Sequence, residues 1–140
     1  MSQPVLAYGA PISLDTAKRV ADAAEAEAQR NGWPMVIAVV DSTGHLVLLH
    51  RLAQAQYGSV VVAQQKAQTV VDFRRPTKAF EDAIAAGGQG LRLLGMNNMI
   101  PLEGGVALVV DGKLVGAIGV SGMQSGQDAQ VANAGVAALS

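Results

Sequence analysis

Apolar and polar positions along this chain follow two periods in turn, and each switch marks an element. Ala17, Val20, Ala21, Ala24 and Ala28 recur at helical spacing, while Lys18, Asp22, Glu25 and Arg30 take the opposite face. Ser13 stands ahead of them as an N-cap, and Asp15 lies in the first turn, where the helix dipole favours an anion. Asn31-Gly32 supplies a C-cap and Pro34 prevents continuation. The small-residue face predicts a helix that packs close to a sheet. Residues 35–40 form a short apolar run rich in β-branched side chains. Asp41-Ser42-Thr43-Gly44 reads as a turn, and residues 45–51 as the return strand of a β-hairpin. A second helix is predicted over 58–72, with Val62, Ala63, Lys66, Ala67 and Val70 on one face, ended by Phe73-Arg74-Arg75-Pro76. Thr77 can cap a third helix running to about residue 86, stopped by Gly87-Gly88. Residues 89–95 fit a further helical turn, and 97–105 a loop.

The strongest local signal follows. Two β-branched runs, 106–110 and 113–120, flank Asp111-Gly112, a pair that favours a type I′ turn because both central residues need positive φ. Residues 119–126 read as a Gly/Ser loop. Ser125 then caps a last helix, with Asp128 as its capping-box partner. The order is helix, hairpin, helices, hairpin, helix. Two hairpins do not build a doubly wound parallel sheet, so the expected class is α+β, an antiparallel sheet with helices packed over it. No repeat or linker divides residues 1–140, which are expected to form a single domain.

Composition narrows the function classes. Half of the residues are apolar but only 4% are aromatic, so the core must be built of Ala, Val and Leu. The formal charge of −1 disfavours nucleic acid, whose binding draws on many Lys and Arg contacts. The absence of Cys excludes disulfides, thiolate catalysis and Cys-ligated metal centres. The first residues lack the pattern of a secretory leader, and no apolar run reaches the roughly 18 residues of a membrane helix. A cytoplasmic protein with no membrane partner is the expectation.

Lys66 is the most informative single residue, because its helical neighbours Val62, Ala63 and Val70 are all apolar. Either its stem packs and its ammonium reaches water, or it stands at the floor of a pocket and binds a carboxylate or moves a proton. Glu103 precedes Gly104-Gly105, where backbone can approach a ligand closely, or it is an exposed loop carboxylate. Asp128 is explained by capping or by acid–base work. Arg51 closes the second strand. His45 and His50 lie on that strand at positions of opposite parity, so they cannot share one metal from one face. Each is a half-buried polar residue or a lone ligand to haem iron. Arg74 and Arg75 at a helix C-terminus suit the dipole, with carboxylate recognition as the alternative. Ser121-Gly122 falls in a Gly/Ser stretch before a helix N-terminus, a place that can hold an anion. The same stretch lacks the last Gly of a nucleophile elbow.

These runs resemble a known family. Ile100-Pro101-Leu102-Glu103-Gly104-Gly105-Val106, then Asp111-Gly112-Lys113-Leu114-Val115-Gly116-Ala117-Ile118-Gly119-Val120-Ser121-Gly122, then Asp128, are similar to the signature of GlcG/HbpS-like proteins, which include the C-terminal domain of PduO-type proteins. Val39-Val40-Asp41-Ser42-Thr43-Gly44-His45-Leu46-Val47, Lys66-Ala67 and Pro76-Thr77 agree. The resemblance implies a profilin-like α+β fold with a central antiparallel sheet of about five strands. It also implies homo-oligomers, dimers assembled into octamers, and haem as a ligand of some members. The chain departs from the pattern at Ala107, where Pro is common, and in residues 52–57. Its first helix begins Ser13-Leu14-Asp15-Thr16 and lacks the His and Cys of haem-binding PduO-type members; His45 and His50 are the candidate haem ligands.

Two functions are therefore expected. The first is binding of haem or another small ligand in a pocket near an oligomer interface, with Arg51, Lys66, Glu103, Gly104, Gly105, Ser121 and Gly122 as lining residues. The alternative is a cofactor-independent isomerase, tautomerase or hydratase acting on a small carboxylate of a catabolic pathway. There Lys66, Glu103 and Asp128 would be catalytic.

Overall fold

The Asp111-Gly112 turn organises the sheet. In the computed structural model, which describes residues 5–139, Asp111 has φ 52° and Gly112 φ 75°. That is the pair of positive angles a type I′ turn requires. It joins β4 (Gly105–Val110) to β5 (Lys113–Ser121), with Gly105 opposite Gly119. On its other side β5 pairs antiparallel with β2 (Val36–Asp41), placing Ser121 opposite Val36. β2 pairs in turn with β3 (Leu46–Arg51), placing Val36 opposite Arg51, with an irregularity between Val39 and Val40. The order across the sheet is therefore β4-β5-β2-β3. A fifth strand, β1 (Ala7–Tyr8), runs parallel to β5 against Lys113 and Leu114. No periodicity announced it. The fold is α+β with five strands, as expected, and the sheet is antiparallel except for this two-residue addition.

The helices cover both faces. α1 (Leu14–Asn31) has the caps its sequence specifies: the Ser13 side chain accepts from the Thr16 N–H, and Gly32 closes the helix at φ 72°. Its alanine face meets Met35, Ile37, Val39, Ile118 and Val120, together with Val131 and Ala132 of α4 (Ser125–Ala137). α2 (Ser59–Phe73) lies on the other face, over Val36, Ala38 and Ala117. It approaches so closely that a Cβ on Gly119 would collide with the carbonyl oxygen of Ala63, which explains glycine at that strand position. α3 (Thr77–Ala85) and a 3-10 helix (Gly88–Gly95) complete the chain between α2 and β4. No helix among the described residues is long and apolar enough to cross a membrane.

Four local expectations are corrected. Thr77 does not cap α3, whose N-cap is Pro76; its hydroxyl accepts from the Gly105 N–H at 2.9 Å and anchors β4 instead. Ser125 does not cap α4. Gln124 does, paired reciprocally with Gln127, and Asp128 is thereby released from the capping box. β5 runs through Ser121, so the Gly/Ser stretch is partly strand. His45 precedes β3 and belongs to the turn, so its strand parity with His50 does not apply.

Candidate functional site

Lys66 sits within α2 on the sheet-facing side and is only 2% exposed. Its ammonium does not reach water. Nζ donates to the carbonyl oxygens of Glu103 at 3.0 Å and Val120 at 2.9 Å, and to Asp128 Oδ2 at 2.9 Å. An ammonium has three N–H donors, so this set is complete. Asp128 is equally buried, and its Oδ1 accepts from the Met123 N–H at 2.9 Å. Burial pushes the Asp128 carboxyl above the ordinary carboxylate range, against the opposing pull of Lys66 and of the Met123 and Gly122 N–H groups.

The paired glycines belong to this cluster. A Cβ at Gly104 would stand 2.8 Å from Lys66 Nζ, and one at Gly105 would stand 2.7 Å from the Lys66 carbonyl oxygen. The close approach read from the sequence is real, and the group approaching is the protein's own lysine. The structure thus brings together Lys66, Glu103, Gly104, Gly105 and Asp128. From Glu103 it brings the carbonyl to Lys66. The Glu103 N–H donates to Glu81 Oε1 at 3.3 Å, and that oxygen also accepts from the Ser125 hydroxyl at 2.9 Å. The result ties α2, the entrance to β4, the end of β5 and the start of α4 into one knot. Its ammonium has no N–H left over for a substrate carboxylate.

Ser121, Gly122 and Arg51 lie together at one end of the sheet. Ser121 shares a cross-strand row with Val36 and Arg51. Its buried hydroxyl is 3.0 Å from that of Ser59, which accepts from the Gln56 side chain at 3.0 Å. A Cβ on Gly122 would stand 2.6 Å from the Pro34 carbonyl oxygen, so Gly122 too is explained by backbone packing. Arg51 is exposed at the end of β3 and lines a cleft of about 600 Å³ formed by residues 51–57. Tyr57 lines the same cleft and is 87% exposed. Neither side chain has a hydrogen-bonding or ionic partner among the described residues. Across the 52–54 segment, a hollow of about 420 Å³ is walled by Gln29, Gly32, Trp33 and Pro34. Both volumes fall in the range of small-molecule sites.

Neither histidine lines the cleft. His45 Nδ1 lies 2.7 Å from the Thr43 hydroxyl in the β2–β3 turn, at the opposite end of β3 from Arg51. His50 pairs across the sheet with Ile37, which packs in the α1 core. Its Nδ1 stands 2.9 Å from Glu25 Oε1 of α1, at an angle that makes no hydrogen bond. Among the described residues no group of three or more His, Asp and Glu is placed to hold a metal ion. Arg74 donates to the Leu6 carbonyl at 3.0 Å and stacks its guanidinium 4.9 Å from the Tyr8 ring centre. Arg75 lies over Phe80 at 5.8 Å. Arg74 therefore clamps β1 onto the end of α2. The sequence singled out Arg51 as a lining residue but not the cleft it forms with residues 52–57, whose signal is an irregular segment ending in the aromatic Tyr57.

A five-stranded sheet covered on both faces by helices is the fold this chain shares with the solved HbpS and PduOC structures. Residues 12–137 match the family model described as haem degrading protein HbpS-like, and the chain belongs to that family. It is 40% identical over 110 residues to protein GlcG of Escherichia coli (strain K12), covering 79% of this chain and 81% of the relative. Its fold superposes on PduOC in a heme complex with a TM-score of 0.82 at 29% identity, covering 91% and 94% of the two chains. A double mutant of Streptomyces reticuli HbpS gives a TM-score of 0.85 at 31% identity, covering 100% and 99%.

Proposed function

We propose that this protein binds haem in the cleft of residues 51–57, with Arg51 taking up a carboxylate of the ligand. The observation that carries the proposal is the cleft itself: about 600 Å³, with an arginine at its wall that no described acidic side chain neutralises. A haem presents a large apolar plane and two propionates. Leu52 and Ala53 offer alkyl surface to the plane, and a propionate suits a guanidinium, which can bind it through two parallel N–H bonds. The family description and the likeness to PduOC in its heme complex support the same ligand. The cleft is open on one side, and a homo-oligomer, from dimer to octamer, would supply the missing wall.

The test is titration of the protein with ferric hemin, followed by absorbance. A saturable Soret shift at one equivalent per chain is expected, weakened several-fold in Arg51→Gln. The proposal fails if hemin gives no saturable shift, or if Arg51→Gln binds as tightly as the wild type. The enzyme reading on Lys66, Glu103 and Asp128 has less support, because the ammonium it would use is fully engaged.

A further inference from the structure

We infer that the crevice between α2 and residues 97–100 is a second binding site, one that takes a small primary alkylammonium through the carboxylate of Asp72. It shares no residue with the 51–57 cleft. Its volume is about 240 Å³, below the roughly 300–1,000 Å³ of drug-sized sites, so its ligand is small. One wall is a single face of α2, where Gln65, Gln68, Thr69 and Asp72 stand at i, i+3, i+4 and i+7. The other wall is the segment 97–100, which crosses that face. Thr69 fixes one wall to the other. Its buried hydroxyl donates to the Gln65 carbonyl at 2.8 Å and accepts from the Ile100 N–H at 3.0 Å. The crevice is therefore built before a ligand arrives, which lowers the cost of binding.

The chemistry of the lining selects a cation. Asp72 is its one charged side chain, and it is exposed, so a ligand reaches it from solvent. Asp72 makes no ion pair among the described residues, and its neighbours Arg74 and Arg75 are turned to Tyr8 and Phe80. Its Oδ1 accepts from Gln68 Nε2 at 2.9 Å, which orients the carboxylate, while Oδ2 accepts from no side chain among the described residues. Gln68 is itself backed by the β2–β3 turn, since a Cβ at Gly44 would collide with its amide. An ammonium has three N–H donors. Asp72 Oδ2 takes one in a charge-assisted bond. The carboxamide oxygens of Gln65, Asn97 and Asn98, which have no partner among the described residues, are there for the others. Met99 and Ile100 offer apolar surface to the alkyl chain. No Lys or Arg lines the crevice, so it rejects the carboxylates that Arg51 attracts.

The experiment is a heteronuclear NMR titration of the isotope-labelled protein, at neutral pH and constant ionic strength, with n-butylammonium, n-butanol and butyrate. These share an alkyl chain and differ in the charge of the head group. Butylammonium is expected to give saturable shifts at the side-chain amides of Gln65, Asn97 and Asn98 and at the Ile100 N–H, with a Kd below about 10 mM. Butanol is expected to bind at least about tenfold more weakly, and butyrate not at all. Asp72→Asn, whose spectrum elsewhere shows that it is folded, is expected to lose at least about tenfold for butylammonium and to leave butanol unchanged. The inference is overturned if butylammonium does not saturate, if butanol binds as well, or if Asp72→Asn binds butylammonium like the wild type. Shifts that spread equally to the acidic residues of α1, Asp15 and Asp22, also overturn it, as a general response to a cation. The haem reading, which rests on Arg51, stands or falls separately on the hemin titration.

Discussion

Replacing Lys66 by Met keeps most of the side chain's length and apolar stem and deletes only its ammonium. Two carbonyl oxygens and the Asp128 carboxylate then lose a shared donor in a region closed to water. Removing one member of a buried ion pair costs about 3–5 kcal/mol, because the other is left buried and uncompensated. Asp128 can relieve part of this by taking up a proton, since burial already pushes its carboxyl upward. The lower end, about 3 kcal/mol, is therefore the expected loss. That is a large share of the ~5–15 kcal/mol that holds a domain together. With a urea m-value of about 2 kcal/mol/M, the unfolding midpoint falls by about 1.5 M.

The assay is urea unfolding at pH 7 followed by circular dichroism, with Lys66→Met, Asp128→Leu and the double variant. Leu at 128 removes the stranded carboxylate, so the double variant should be less destabilised than the two single losses summed. Without Lys66, the pull that lowers the Asp128 carboxyl is gone. A folded-state value raised above the ordinary 3.8 stabilises below that value, and the stabilisation is lost as pH rises through the folded one. The Lys66→Met deficit should thus widen as pH rises above the wild type's own raised folded value. A midpoint drop under about 0.3 M at unchanged m, or strictly additive losses in the double variant, would refute the view that this knot holds the fold together.

Two other substitutions probe the scaffold. Gly119→Ala drives a methyl into the Ala63 carbonyl oxygen, and the backbone of α2 cannot yield as a flexible side chain would. A loss of at least about 2 kcal/mol in urea unfolding is expected, and a near-neutral result would show that α2 sits farther from β5. Asp41 accepts from the Thr43 N–H at 2.8 Å and the Thr43 hydroxyl at 2.6 Å. Partial burial raises its carboxyl, but these bonds and those from His45 outweigh it and hold the group below its ordinary 3.8. Its charge therefore stabilises above that value, and the benefit disappears as pH falls through the lower folded one. Asp41→Asn should be less stable than the wild type at pH 7 by under about 1 kcal/mol, with the gap closing in melts below pH 3.8; a pH-independent gap would refute the assignment.

How far the sequence could be read depended on the range of the interactions. α1 was legible to its caps because Ser13, Thr16 and Gly32 act within a few residues of one another. The hairpin at Asp111-Gly112 was legible for the same reason. β1 was not, since two residues carry no periodicity and their partners, Lys113 and Leu114, lie at the far end of the chain. Gln124 displaced Ser125 as the cap of α4 because Glu81, from another helix, engages the Ser125 hydroxyl. Lys66 stood out as a charge on an apolar stripe, yet two of its three acceptors are main-chain carbonyls, which leave no mark in a sequence.

That difference bears on where function lies. The glycines at 104 and 105 looked like a place for a ligand because backbone comes close there, and it does. What it meets is Lys66, and what Gly119 meets is α2. The run by which this chain resembles its family is thus largely occupied in joining sheet to helices. The segment after Arg51, residues 52–57, departs from that resemblance, and Gln54 holds a left-handed backbone there at φ 70°. Such a conformation is unfavourable for glutamine and persists only where surrounding structure enforces it. Arg51 and the same segment present a guanidinium and a tyrosine without partners among the described residues. Ligand specificity is therefore expected to change with substitutions in 51–57, while those at Gly104, Gly105 or Gly119 should act first on stability.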